Sequence, residues 1–430
     1  MALTTLWGKV KERTGLIAAG GNWAQKVPQA TQHNLRWFFF DGILGAGQDG
    51  IILPYLSIYL LALGATSGQI GLMTALASLS ATLLLLPGAM LSERFHRRKI
   101  FVLFGGGGIT RFMYLMFGII PFLFKGPSAI YIMIIAKVIA DGFGNFSYPP
   151  WISLTGDIIP LEFRGRYFGS RNLFMAVSGM LATVMIGEVI SLSSSIIGYQ
   201  FAFGTAALLG ITASFCFSRI AEPPMPLGKE QPQGITIASL IEPLKKDRSF
   251  LTYVSFCVIW NFSIQIVGPF FTVYMVQGLN GTAKDVGLFS IVATLAGLPA
   301  LRFFGRLSDR WGPRRVMLTT GLLIPIIPWI WILVRNPLQG ILINVPAGLI
   351  WAGFNLAAFN YLLSLAPTQN LARYTGLLQV AITIAIATGA AFGGLIVTHF
   401  GYVPLFILSG AGRLIGILFF ARFMNQKVGT

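Results

Sequence analysis

A chain of 430 residues that is 55% hydrophobic and 10% charged has too little charge to cover the surface of a soluble protein of this length. Its formal net charge of +17 invites a nucleic-acid reading, which the placement of the Lys and Arg residues removes. Two cysteines, Cys216 and Cys257, and three scattered histidines form neither a disulfide framework nor a metal-ligand spacing, so no cofactor or metal is expected.

A helix crosses the hydrocarbon core with about 20 mostly apolar residues. The chain holds twelve such runs, at 37–61, 68–91, 100–124, 128–156, 168–190, 199–219, 250–276, 285–304, 316–334, 338–364, 375–398 and 402–421. Barrel strands would be half as long and would alternate in polarity, which these do not. The expected fold class is an all-α polytopic membrane protein of twelve transmembrane helices. Residues 1–36 contain no apolar stretch followed by a small-residue cleavage site, so no cleaved signal peptide is expected. MALTTLWGKVKERTGLIAA reads as a short basic interfacial helix or as a disordered tail. The even-numbered gaps between spans, with both termini, carry 24 of the 31 Lys and Arg residues, against three (Lys125, Lys284, Arg335) in the odd-numbered gaps. That bias is the positive-inside rule. It places both termini in the cytoplasm of a cell whose inner or plasma membrane holds the protein. Positive charge here sets orientation, and no nucleic-acid partner is expected.

The first span carries DGILGAGQDGIILPYLSIY (41–59), with two acids where a bilayer offers no water. On an ideal helix Asp41, Gln48, Tyr55 and Tyr59 fall within about 40° of one another. Gly42, Ala46 and Gly50 lie on another face at the small-residue spacing that lets helices approach closely, and Asp49 points with them. Pro54 is expected to kink the upper part. By depth, Asp49, Arg111, Lys137 and Asp141 all fall near midplane at about 1.5 Å per residue, and their formal charges cancel. Lys137 and Asp141, at i and i+4, are also read as a simple ion pair. Asp49 is also read as a structural partner of Arg111, and Asp41 as a solvated acid near the membrane edge. Arg413, midway along the last span, has no evident partner in the sequence.

The longest polar gap, 221–248, is rich in proline and charge, as a linker should be. Across it the second half repeats the first. A shift of 216 lays AMLSERFHRRK (89–99) on GRLSDRWGPRR (305–315) without a gap, and a shift of 215 lays Pro54 and Tyr59 on Pro269 and Tyr274. P-x5-R-Y-x-G occurs as Pro160, Arg166, Tyr167, Gly169 and again as Pro367, Arg373, Tyr374, Gly376. A six-helix unit used twice is a common plan for transporters. The expected domains are a 1–36 N-terminal segment, a 37–220 bundle, a 221–249 linker, a 250–422 bundle and a 423–430 tail.

GRLSDRWGPRR resembles the G-x-L-x-D-R-x-G-R-R loop of the major facilitator superfamily. The copy between the second and third spans is degenerate, with Ala89, Glu93 and His96 at three of its positions. The resemblance implies two six-helix bundles related by pseudo-twofold symmetry and an alternating-access mechanism. The loop residues Glu93, Arg94, Arg98, Gly305, Asp309, Arg310, Gly312 and Arg314 are candidates for a charged clasp that opens and closes a gate, with Arg166 and Arg373 as second-tier members. Gly305 is expected to permit close helix packing, Gly312 a tight turn, and Asp309 an ion pair with a nearby Arg. Arg310, Arg314 and Arg315 are expected to face the cytoplasm and anionic lipid. The plainer alternative is that the loop only anchors topology.

The resemblance also marks the first, fourth, seventh and tenth spans as cavity-lining, and each carries a polar stripe. The fourth has Lys137, Asp141, Gly144, Asn145, Tyr148 and Thr155; the seventh has Asn261 and Gln265; the tenth has Asn344, Trp351 and Asn355. Drug–proton antiporters of the superfamily carry R-x-x-Q-G-x-G in the fourth span. DGFGN (141–145) matches its latter part, with Asp141 at the Gln position and Val138 at the Arg position. Buried polar groups in hydrocarbon are costly unless they pair or meet water, so these stripes are expected to surround one wet chamber where the bundles meet. The charge belongs to the first half, while the second supplies amides and aromatics. The expected function is secondary active transport of a small organic solute with a coupling cation, a proton carried by Asp49 or Asp141. Sodium coupling, passive facilitation and a non-transporting sensor or scaffold are the alternatives. No nucleophile–base pair suggests an enzyme. One chain supplies both halves of a pathway, so a functional monomer in contact with membrane lipid is expected.

Overall fold

The computed structural model describes Ala18 and residues 20–193, 196–223, 247–365 and 371–424. The side chains of Asn22, Glu93, 363–365 and 371–373 lie outside that description. Among the described residues the long segments are all helical: α1 Gln29–Ala62, α2 Ser67–Phe95, α3 Arg98–Leu123, α4 Pro127–Ile158, α5 Arg164–Ser193, α6 Ile196–Ser218, α7 Arg248–Gln277 and α8 Ala283–Trp311. They continue with α9 in two pieces (Pro313–Leu323 and Ile326–Trp331), α10 Pro337–Leu365, α11 Leu371–Phe400 and α12 Tyr402–Phe423. Among the described residues, eleven are long and apolar enough to span a bilayer. The ninth is interrupted at Ile324 and Pro325, and each piece is too short to cross alone.

Local chemistry explains many of the ends and breaks. Pro127 and Pro313 open α4 and α9, where the missing N–H costs nothing. Asp247 caps α7 through Phe250 N at 3.0 Å, and Thr282 with Asp285 forms a reciprocal capping box on α8. Pro54 and Pro269 stand at matching places, yet α1 runs unbroken through Pro54 while α7 breaks at Gly268–Pro269. Gly268 and Pro269 both keep right-handed helical angles, so α7 is interrupted for two residues without a change of backbone region.

The duplication is visible in the backbone. His96 and Gly312, equivalent under the shift of 216, both have positive φ, 53° and 79°, so each half turns from its second helix into its third through a left-handed residue. Arg98 and Arg314 are equivalent under the same shift, and each binds the chain at the end of its own half's sixth helix. Arg98 reaches Pro223 O at 3.1 Å and Glu222 Oε1 at 3.5 Å. Arg314 reaches Met424 O at 2.6 Å and Ala421 O at 3.1 Å.

The chain divides into two compact units. The first holds the residues up to Tyr59 and those from Ser80 to beyond α6. The second holds Leu60–Leu79 and everything from α7 onward. Residues 60–79 therefore pack with the second unit, across the boundary expected from the sequence. The reason is close backbone contact inside that unit: a Cβ on Gly71 would stand 2.7 Å from Ala390 O and 3.0 Å from Gly394 Cα of α11.

Candidate functional site

In the first unit, α1 lays its small residues against α5. A Cβ on Gly50 would come within 2.9 Å of Gly179 Cα, Ser178 Oγ donates to Ile43 O at 2.8 Å, and Thr183 Oγ1 donates to Gly50 O at 2.6 Å. The hydroxyls satisfy themselves on backbone carbonyls, as polar groups between apolar helices must. Within the same unit, α3 opens into a π-helical turn at Leu103–Thr110, built on four consecutive glycines, 105–108. Those glycines let α4 come close. Ser147 Oγ accepts from Gly106 N at 2.6 Å and donates to Phe143 O at 3.1 Å, and Thr110 Oγ1 donates to Ala140 O at 3.0 Å. The widened turn ends at Arg111, a placement typical of π-bulges at functional positions.

Between these helices lies a cavity of about 380 Å³. Asp41 and Asp49 of α1, Arg111 of α3, Tyr148 of α4 and Arg171 of α5 all line it. Asp49 is exposed despite its place midway along an apolar helix, and its nearest polar contact is Gln48 Nε2 at 3.5 Å. It lies within electrostatic range of Arg111, Lys137 and Asp141 but forms no ion pair with any of them. Arg111 keeps a buried Nε without a hydrogen-bond partner. The reading of Asp49 and Arg111 as a structural pair is therefore not what the structure has. Lys137 and Asp141, in contrast, are joined at 2.6 Å, and Asn145 bonds back to Asp141 O at 3.0 Å. Tyr148 stacks on Trp151 with ring centroids 6.1 Å apart.

The polar-aromatic stripe expected on α1 divides. Gln48, Tyr55 and Tyr59 are fully buried, and none of the three lines this cavity. Tyr55 donates to Thr183 O at 2.6 Å, and Tyr59 donates to Phe117 O at 3.3 Å while stacking on Tyr199 and Phe203. The cavity face is the one carrying Asp41, Gly45 and Asp49, residues one helical turn apart.

Arg171 is not among the candidates read from the sequence, although it lies inside the fifth apolar run, 168–190. In the structure α5 begins at Arg164, which puts Arg171 two turns inside the helix and buries it. Its guanidinium lies 4.1 Å from the Phe38 ring centroid, 3.8 Å from Asp41 Oδ2, and its Nε donates to Phe38 O at 3.1 Å. The signal that could have found it is Tyr167, four residues earlier and therefore on the same face. Tyr167 itself donates to Leu35 O at 2.6 Å.

Among the proposed gate residues, Arg98 is buried and bridges Asp157 at 2.5 Å as well as Glu222; neither acid was singled out by the sequence. Arg94 sits 5.9 Å from the Phe95 ring. Arg166, Asp309 and Arg310 are exposed, and among the described residues Asp309 makes no ion pair. Gly305 is not a close-packing position, since a Cβ there would meet only Leu356 Cδ2 at 3.9 Å. Arg314 turns back onto α12 instead of facing lipid, whereas Gly312 does make the expected tight turn. The side chains of Glu93 and Arg373 lie outside the described residues.

The second unit has its own cavity of about 610 Å³. Asn344, Trp351 and Asn355 of α10 line it, as do Phe271 and Trp331. Asn261 and Gln265 of α7 do not; Asn261 bonds back to Cys257 O at 2.8 Å. The expectation that this half supplies only amides and aromatics needs correction, because Arg413 of α12 lines the same cavity.

The profile of the Major Facilitator Superfamily matches residues 38–297 and 260–429. Among curated proteins, the chain is similar to the multi-drug resistance efflux pump PmrA of Streptococcus pneumoniae, 24% identical over 381 residues, covering 87% of this chain and 91% of PmrA. It is also similar to the multidrug resistance protein MdtG of Proteus mirabilis, 24% identical over 408 residues, covering 88% and 93%. Among solved structures, the nucleoside transporter NupG superposes with a TM-score of 0.71 at 13% identity, covering 90% of this chain and 99% of NupG. A bacterial homologue of the lysosomal transporter Spinster gives 0.67 at 13% identity, covering 92% and 95%. With the profile spanning nearly all of a twelve-helix chain, the protein belongs to the major facilitator superfamily of membrane transporters.

Proposed function

We propose that the protein is a secondary active transporter that moves a small organic solute by alternating access, coupled to protons through Asp49. The observation that carries this reading is an exposed carboxylate midway along an apolar helix, lining a cavity, with no ion pair among the described residues. An ionisable group at that depth is costly and is retained where it does work. Of the candidate acids, Asp141 is occupied by Lys137 and Asp41 leans on Arg171, which leaves Asp49 as the one free to exchange a proton. Protonating Asp49 removes a negative charge from the field at Arg111. Any solute that senses Arg111 then binds differently in the two protonation states, and this reciprocal dependence is what coupling means. Kinship with proteins named as multidrug efflux pumps supports an organic cargo and export as the direction. The remaining expectations, namely a functional monomer, both termini in the cytoplasm and a gate built on the Asp309 and Arg98 loops, form part of the same proposal.

The test begins with a thermal-shift screen of the purified protein against metabolite and drug panels, since a ligand of the folded form raises the apparent melting temperature. A hit is then loaded into proteoliposomes under an imposed pH gradient or an imposed sodium gradient. Accumulation driven by the pH gradient alone supports the proposal. Accumulation driven only by sodium, or none beyond equilibration, overturns proton coupling.

A further inference from the structure

Among the described residues, nothing neutralises Arg413, a buried cation of the second unit's cavity. It sits halfway along α12, is 2% exposed and lines the 610 Å³ cavity. Its Nε is buried without a hydrogen-bond partner, and among the described residues it has no ion pair, no hydrogen bond and no aromatic ring beneath it. The described acids of this unit are all committed or remote. Asp247 caps α7, Asp285 belongs to the capping box of α8, and Asp309 is exposed near the end of α8. A guanidinium stays charged under all ordinary conditions. At this depth in a membrane protein it calls for a partner of opposite charge, and the described residues do not provide one.

The cavity's other walls describe that partner. Phe271, Phe289, Trp331 and Trp351 give a broad aromatic surface. Asn344 spends its Nδ2 on Phe289 O at 2.7 Å, which leaves its carbonyl oxygen to accept from a ligand. We propose that this cavity is a binding site for an organic monoanion, with Arg413 pairing its carboxylate or phosphate oxygens and the aromatic wall taking its apolar body. One guanidinium balances one negative charge, and its fork geometry matches two oxygens of one group. The inference deepens the transport reading by naming the class of cargo, and it rests on that reading only for the word cargo; binding stands by itself.

The experiment measures binding of 1-naphthoate and of its neutral counterpart 1-naphthamide by calorimetry, with the full chain in nanodiscs of phosphatidylcholine. The expected result is that wild type prefers the carboxylate by at least about tenfold, that Arg413→Gln removes the preference, and that Arg413→Lys keeps part of it. No measurable carboxylate binding to wild type, equal affinity for the two probes, or an unchanged preference in Arg413→Gln each overturns the proposal. Because the wild-type comparison decides alone, a variant that fails to fold does not rescue it. A second arm adds phosphatidylglycerol to the nanodiscs. Unchanged naphthoate affinity supports a soluble anion, whereas loss of binding assigns the oxyanion to lipid phosphate and overturns the solute assignment. Flux separates the two proposals: carboxylate binding through Arg413 without flux removes transport, and proton-driven flux of neutral solutes indifferent to Arg413 overturns the assignment of the anion as cargo.

Discussion

Arg98 lies buried with its Nη1 2.5 Å from Asp157 Oδ2 and its Nε 3.5 Å from Glu222 Oε1, so one guanidinium fastens the start of α3 to α4 and to the chain beyond α6. Removing one partner of a buried pair leaves uncompensated charge, and the cost of about 3–5 kcal/mol typical of such losses is reduced here because both acids are partly exposed. Arg98→Ala is expected to destabilise the protein by about 2–3 kcal/mol, read as a lower thermal midpoint in detergent. Arg98→Lys, which keeps the charge but not the fork, should lose less.

His96 and Gly312 both hold a positive φ, yet only glycine is suited to it. A non-glycine residue in that region costs roughly 1–2 kcal/mol, partly offset by the chain entropy that glycine loses on folding. His96→Gly should therefore stabilise by about 0.5 kcal/mol. Gly312→Ala, whose Cβ would meet nothing within 4 Å, should destabilise by about 1 kcal/mol through the backbone alone. Paired thermal unfolding of the two variants checks both signs.

Gly210 of α6 holds Arg111 in place. A Cβ there would overlap Gln48 Oε1 and stand 2.8 Å from Arg111 Cδ. Gly210→Ala is expected to shift Arg111 and slow transport by roughly tenfold or more, together with an overpacking cost of about 1–3 kcal/mol. Gly204→Ala, on the same helix with nothing within 4 Å of the new atom, should change neither. Initial transport rates normalised to folded protein distinguish them.

Tyr55 and Tyr59 serve packing. Tyr55→Phe leaves Thr183 O without its 2.6 Å donor and should cost about 1 kcal/mol, with the solute affinity unchanged. A large change in affinity without a change in stability would return Tyr55 to the binding surface.

Much of this was legible in the residues. The repeat at 89–99 and 305–315 set His96 opposite Gly312 and expected the turn at Gly312 alone, and apolar runs located the helices because lipid leaves few alternatives. Helix-wheel angles told which side chains share a face but not which face looks into a cavity. That choice depends on neighbours distant in sequence, such as Gly179 against Gly50 and Ser147 against Gly106. The place of Arg171 within the fifth run does not tell that its guanidinium reaches Asp41, a residue distant in sequence. The π-helical turn before Arg111 left a trace in Gly105–Gly108, but a glycine run signals close approach without saying that the helix widens.

The central claim is tested most directly by Asp49→Asn in proteoliposomes, comparing accumulation under a pH gradient with exchange of labelled for unlabelled solute at equal pH. Loss of gradient-driven accumulation with exchange retained is the predicted result, because the amide preserves the shape of the cavity wall but carries no proton. Gradient-driven accumulation at the wild-type level would contradict it.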